Sequence, residues 1–184
     1  MNTESEVAEA VKAAKGPLII KGGGTRSVGR PAQGDLLDVS GLSGVTLYEP
    51  GALTLVAKAG TPVAEIEAKL AEENQRLAFE PYDLTGLLGT SGATTIGGVI
   101  ATNASGPRRI QAGAARDFAL GVRFVDGAGN VVKNGGRVMK NVTGYDLVKL
   151  MSGSWGTLGV LTEVSLKVLP AVEAWTTLVI ADLA

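Results

Sequence analysis

The 184-residue chain contains no cysteine and no histidine. Lacking cysteine, it has no disulfides, no thiolate nucleophile and none of the usual structural zinc sites. Lacking histidine, it is without the commonest general base and the commonest metal ligand, so no metal site is expected. Aromatic residues make up only 4%, too few for a base-stacking surface. The balance of 17 basic against 18 acidic residues leaves no electrostatic footprint for nucleic acid. No apolar run approaches the roughly 18 residues needed to span a bilayer. The N-terminal MNTESEVAEAVKAAKG also lacks the positive-then-apolar layout of a signal peptide. These absences point to a soluble, cytoplasmic protein whose chemistry comes from a bound cofactor or from a partner.

What the chain has in abundance is glycine, 26 residues, about twice the usual share of roughly 7%. The glycines concentrate in two stretches. Residues 94–109, TTIGGVIATNASGPRR, offer bare backbone with hardly any bulky side chains. Such backbone lets a ligand lie on the main chain, where successive N–H groups form a concave anion site. The other stretch is Gly22, Gly23, Gly24, Thr25, Arg26 and Ser27, following the apolar PLIIK of 17–21. It is not a Rossmann fingerprint, because Ser27 stands where the third glycine belongs. Nor is it a Walker A loop, because Gly29-Arg30-Pro31 replaces the Gly-Lys-Ser/Thr ending. What survives is a glycine nest with hydroxyls at Thr25 and Ser27 facing phosphate oxygens, or else a plain connection between strands. Gly97 and Gly98, inside an expected short helix over 95–102, cost about 1 kcal/mol each relative to alanine. Either a ligand or a closely packed strand would account for them.

The remaining pattern is α+β. Val7, Ala10, Val11 and Ala14 mark a first helix, with Thr3 or Ser5 as cap and Gly16-Pro17 as stop. Strands are expected over 17–21, 36–39, 45–49 and 53–58, then a helix begun by Thr61-Pro62 and running to about residue 73. Residues 80–94 carry turn chemistry throughout. Strands over 118–126 and 130–133 form a hairpin around Asp126-Gly127-Ala128-Gly129, and a helical face follows at Leu147, Leu150 and Met151. A strand over 160–168 alternates strictly, and another, over 175–180, begins where the chain stops, which reads as a shortened protein whose next domain is missing.

Four blocks in this order, KGGGTRSVGR (21–30), LDVSGL (37–42), TTIGGVIATNASGPRR (94–109) and KNVTGYDLVKLMSGSWGTLGVLTEV (140–164), resemble the FAD-binding, PCMH-type domain of the vanillyl-alcohol oxidase and p-cresol methylhydroxylase superfamily. Within it the likeness is to the FAD-binding subunit of bacterial glycolate oxidase. The resemblance implies two α+β subdomains, 1–58 and 59–172, with 173–184 opening a substrate or cap domain. It implies FAD held between the subdomains by Gly22, Gly23, Gly24, Thr25, Arg26 and Ser27 together with Gly97 and Gly98 at the pyrophosphate. Ala101, Thr102, Asn103, Ser105 and Gly106 would pass near the ribityl chain and isoalloxazine, and Gly159 and Val160 would lie at the adenine side. Pro81 and Thr95 are further expected contacts.

The chain also departs from that family. Many relatives tether FAD through histidine or cysteine, so here the flavin should be noncovalent. Catalytic histidines of related dehydrogenases sit in a later domain, and no base can be assigned in this chain. Arg108, Arg109, Lys140, Tyr145 and Asp146 have bland alternatives, surface charge for the arginines and helix capping for Asp146. The resemblance implies a subunit that oxidises a small 2-hydroxy acid such as glycolate and works with a paralogous flavin subunit and an iron–sulfur subunit. Any attachment to the inner membrane would run through those partners. The competing reading is a noncatalytic FAD-holding subunit whose paralogous partner carries catalysis.

Overall fold

The computed structural model describes residues 1–30, 32–138, 144–174 and 176–181. Helix α1 (Glu4–Ala13) is capped by Thr3, whose hydroxyl accepts the Glu6 N–H. Strands β1 (Leu18–Lys21) and β2 (Asp35–Asp38) pair in parallel, and the connection between them loops out as the glycine nest. Val7 and Ala8 of α1 bury against Leu37, Val39, Leu42, Val125 and Val160 in a small second core.

The main sheet has five strands in the order β3 (Val45–Glu49), β4 (Thr54–Lys58), β8 (Val160–Lys167), β6 (Ala119–Val125) and β7 (Val131–Gly135), every pair antiparallel. The division expected at residue 58 cuts across this sheet, since β4 pairs with β8 from Thr54 opposite Lys167 to Lys58 opposite Glu163. Its core face is covered by α2 (Val63–Ala71), α4 (Ile96–Thr102), α6 (Ala115–Phe118) and α7 (Leu147–Met151). Ile66, Leu70, Ile96, Ile100 and Met151 meet Leu55, Val164 and Leu166 there with essentially no exposure. The ends of the main sheet are tied down by a short pair, β5 (Gln75–Arg76) with β9 (Leu169–Pro170). Two one-turn helices, α3 (Thr85–Leu88) and α5 (Arg109–Ala112), complete the elements.

The structure shifts several expected boundaries. Thr61 does not cap α2; Pro62 holds the cap position, and the Thr61 hydroxyl donates to the Lys58 carbonyl at 2.7 Å and accepts the Gly44 N–H at 2.9 Å. Phe118 ends a helix and does not begin a strand, because its ring is used in the core, 5.6 Å from that of Phe79. Asp146 caps α7, as its bland reading has it, accepting the Lys149 N–H at 3.0 Å. Of the strand expected over 175–180, residues 176–180 are not in a strand, and Trp175 lies outside the described residues, as does Lys140. Among the described residues no helix is long and apolar enough to cross a membrane.

β8 carries the feature that decides what faces the site. Phe124 pairs with Leu161 but Arg123 pairs with Glu163, so Thr162 is an extra residue, a β-bulge. The bulge reverses the parity of the strand. Below it Val164, Leu166 and Val168 face the main core, whereas above it Leu161 does, and Val160 and Thr162 turn to α1. Thr162 there shares the Glu4 carboxylate with Arg123, an ion pair binding α1 to the sheet.

Candidate functional site

The nest, the bare face of α4 and the turn before β8 converge on one cavity of about 500 Å³. Of the residues singled out in the sequence, Gly22, Gly23, Gly24, Thr25, Arg26, Ser27, Thr95, Gly97, Gly98, Ala101, Thr102 and Gly159 line it. Five do not. Asn103 and Ser105 instead stitch the end of α4 to α6, accepting the N–H groups of Arg116 at 3.0 Å and Ala115 at 2.8 Å. Gly106 donates to the Phe79 carbonyl at 2.9 Å and has the Glu80 carbonyl against its α-carbon. Pro81 lines a separate hollow with Tyr82, Asp83 and Glu67, whose carboxyl is pushed up by burial. Val160 is turned away by the Thr162 bulge, and Leu161 takes its place.

The glycines are required for different reasons. At Gly97 a Cβ would stand 2.7 Å from both the Cβ and the carbonyl oxygen of Ala59, so this glycine serves close packing. At Gly98 it would meet only Thr95 Oγ1 at 3.3 Å and Arg26 Nη1 at 3.9 Å, so the missing side chain leaves the cavity open. The two explanations the sequence left open each hold at one residue. Gly23 and Gly92 are pressed together from different loops. A Cβ on Gly23 would lie 1.6 Å from the Ala93 carbonyl oxygen, and one on Gly92 1.6 Å from that of Gly23.

The donors come from the nest rather than from the helix. The N–H groups of Ile96, Gly97 and Val99 are already bonded to Thr61, Ala59 and Thr95 carbonyls, and that of Gly98 reaches the Thr95 hydroxyl at 3.4 Å. Gly24, at φ +70°, turns its loop into the left-handed region that gathers successive N–H groups on one side. Among the described residues no acceptor answers the N–H groups of 23–27. The Thr25 hydroxyl is buried and accepts from Thr94 at 3.2 Å, while Ser27 is exposed.

Arg26 supplies the charge. Its Nη2 donates to the Tyr82 carbonyl at 2.8 Å, its guanidinium sits 5.8 Å from the centre of the Tyr82 ring, and its Nε is shut from solvent without a hydrogen-bond partner. Burial pulls this guanidinium below its ordinary value. A desolvated cation with an unused donor, beside a row of unanswered amides, is a site for a phosphate-bearing ligand. Arg108 is no part of it, being paired with Glu80 at 3.3 Å, and Arg109 is exposed on α5.

The cavity also contains residues that the sequence reading passed over. Ile19, Ile20, Leu36, Val39 and Leu161 give it an apolar end, and Ser154, Trp155 and Gly156 form its rim. The apolar runs at 18–20 and 36–39 mark the first four as buried strand residues but not as cavity lining; only the fold places the rim turn beside them. A polar nest joined to apolar side chains, in an α+β fold, has the make-up of a ligand pocket with an anion-binding end.

Comparison with known proteins makes the class particular. Residues 1–135 match the FAD binding domain family. The chain is 46% identical over 161 residues to the glycolate oxidase subunit GlcE of Escherichia coli (strain K12), covering 87% of this chain and 44% of the relative. It is 32% identical to a D-lactate dehydrogenase of Archaeoglobus fulgidus, over 89% of this chain and 36% of the other. Its fold matches that of an alkyldihydroxyacetonephosphate synthase with a TM-score of 0.75 at 24% identity, over 95% of this chain and 31% of that one. This chain belongs to the FAD-binding domain family, with the PCMH-type α+β fold, and its cofactor is FAD. It spans less than half the length of these relatives.

Proposed function

We propose that the chain is the FAD-carrying unit of an oxidoreductase that converts a small 2-hydroxy acid of the glycolate kind to the 2-oxo acid, passing electrons to a paralogous flavin subunit and an iron–sulfur subunit. The substrate class rests on the 46% identity, across most of the chain, with a glycolate oxidase subunit. Bound FAD supplies the acceptor for the hydride leaving the α-carbon, while the hydroxyl proton passes to a base or to solvent. The chain's own part is to hold and polarise. The amides of 23–27 and the guanidinium of Arg26 engage the diphosphate, and Ile20, Leu36 and Leu161 keep water from the slot. With neither histidine nor cysteine in the chain, the cofactor is held noncovalently.

One observation favours the second reading, a FAD-holding subunit whose partner carries catalysis. Among the described residues the cavity lining includes no carboxylate and no imidazole, which favours a proton acceptor supplied from elsewhere. Anaerobic mixing with glycolate or D-lactate, following bleaching of the flavin, tests both. Prompt bleaching in the isolated chain sinks the second reading. Bleaching only after partner subunits are added supports it, and none with either acid in either state overturns the hydroxy-acid assignment. Acid precipitation that leaves the yellow colour in the pellet would overturn noncovalent binding.

A further inference from the structure

Residues 81–94 leave the body of the protein and return to it at nearly one place. The segment sets out from Glu80, whose φ of +47° ahead of Pro81 is one that residues other than glycine rarely adopt. The Glu80 carbonyl oxygen is pressed on Gly106, 2.7 Å from where a Cβ would stand. Just beyond, Arg26 donates to the Tyr82 carbonyl at 2.8 Å, and at the return the Thr94 hydroxyl donates to that of Thr25 at 3.2 Å. With the Gly92–Gly23 contact, both ends of the segment are clipped to residues 23–26 of the nest. Its middle is bonded to itself. The Leu88 N–H donates to the Leu84 carbonyl at 2.9 Å and the Thr90 N–H to that of Thr85 at 3.1 Å, while the Asp83 carboxylate accepts the Thr85 N–H at 3.0 Å. Behind it lies the hollow shared with Glu67, about 360 Å³, where the Thr90 hydroxyl is shut from solvent with no partner among the described residues. Leu87, near the tip, is 82% exposed. Ends pinned together around an unfilled space make an Ω-loop that can open as a unit.

We propose that residues 81–94 are a lid keyed to the phosphate nest: an anion in the nest fixes the lid, and the fixed lid slows the anion's escape. One guanidinium serves both sides. Arg26 Nη2 is on Tyr82, while Nη1 lies 3.9 Å from where a Cβ on Gly98 would enter the cavity and Nε is unbonded. An anion bonded through the inner nitrogens immobilises the guanidinium and with it the Tyr82 clip. An anion held by the amides of 23–27 fixes Gly23 and Thr25, and through them Gly92 and Thr94. Linkage makes the effect reciprocal, so whatever loosens the lid weakens the anion by the same factor. The chain has neither histidine nor cysteine to tether a flavin, and its retention depends on noncovalent contacts of this kind. The proposal rests on the nest taking the diphosphate of FAD.

The test follows amide hydrogen exchange of residues 84–90 in the full chain, free of flavin and then saturated with ADP, inorganic pyrophosphate or riboflavin, which has no phosphate. ADP and pyrophosphate should slow exchange there about fivefold or more, and riboflavin should not. Thr94→Val removes one clip without touching the cavity lining. It should speed exchange at 84–90 in the free chain and release ADP about three to ten times faster in stopped flow, the scale of one lost hydrogen bond. Thr94→Ser keeps the hydroxyl and should behave as the parent. ADP binding seen by calorimetry with unchanged exchange at 84–90, equal protection by riboflavin, or parental ADP release from Thr94→Val overturns the lid and leaves FAD binding standing. Uptake of FAD without binding of ADP or pyrophosphate does the same, and a chain that takes up none of the three overturns both.

Discussion

Gly97 and Gly98 are neighbours in α4, yet alanine at each should move the protein in opposite directions. At Gly97 the new methyl would lie 2.7 Å from the Cβ and carbonyl oxygen of Ala59, and backing away would break the 2.7 Å bond from the Gly97 N–H to that same carbonyl. Overpacking against backbone belongs at the upper end of the usual range, about 3 kcal/mol, from which alanine's better helix propensity returns about 1 kcal/mol. The net loss of about 2 kcal/mol corresponds to a fall of about 4–8 °C in Tm for a domain of this size. At Gly98 the nearest atoms are 3.3 and 3.9 Å away. Only the propensity gain remains, so Tm without ligand should rise by about 2–4 °C. That methyl enters the cavity proposed to hold FAD, however, and affinity should fall about tenfold, equivalent to 1.4 kcal/mol. Thermal melts by circular dichroism without FAD, paired with absorbance titrations of FAD, measure both quantities. If both variants shift Tm in the same direction, the division of labour between these glycines is refuted.

Three further outcomes follow from the same geometry. Glu4→Gln removes the charge bonded to Arg123 and Thr162 and should cost about 1–2 kcal/mol at neutral pH, read by urea unfolding. The bond to Arg123 holds the Glu4 carboxyl below its ordinary value, so its contribution is complete above the unfolded value and vanishes as pH falls through the folded one. Parent and variant should therefore converge in acid, and a gap that does not narrow as pH falls below the ordinary carboxylate range would count against the ion pair. Arg26→Ala should weaken FAD about tenfold or more and flatten the salt dependence of binding, whereas an unchanged Kd by calorimetry would remove Arg26 from the diphosphate site. Gly23→Ala and Gly92→Ala should each destabilise the chain, and the double variant should cost clearly less than the sum, because one loop displacement relieves both clashes.

Much of this was legible in the sequence because it depends on local chemistry. The Thr3 cap, the Asp126 turn of the β6–β7 hairpin and the alternation from Val164 to Val168 are written in adjacent residues, whereas the three glycines of 22–24 left an anion cradle and a plain connection between strands both open. The one-turn helices α3, α5 and α6 were not legible, being too short to show a period. Val160 was placed at the site by resemblance alone; its side chain turns to α1 because of the bulge at Thr162, which is specified by what β6 pairs with. Asn103 and Ser105 belong to the same segment as Thr102, but the chain turns at Asn103, φ +49°, and directs their polar atoms to α6. Trp155 gave no signal, because only the fold brings its turn to the rim of the cavity.

The contact between Gly23 and Gly92 bears on how such a cradle can be moved or copied. The nest does not stand on its own strand; its floor is main chain from a loop roughly seventy positions later, and each loop shapes the other at a point where neither tolerates a side chain. Grafting residues 22–27 alone onto a new scaffold would therefore transplant a glycine-rich string with nothing to hold its curve. The portable unit is the pair of loops, and a designer must carry both across together with the spacing that lets them touch.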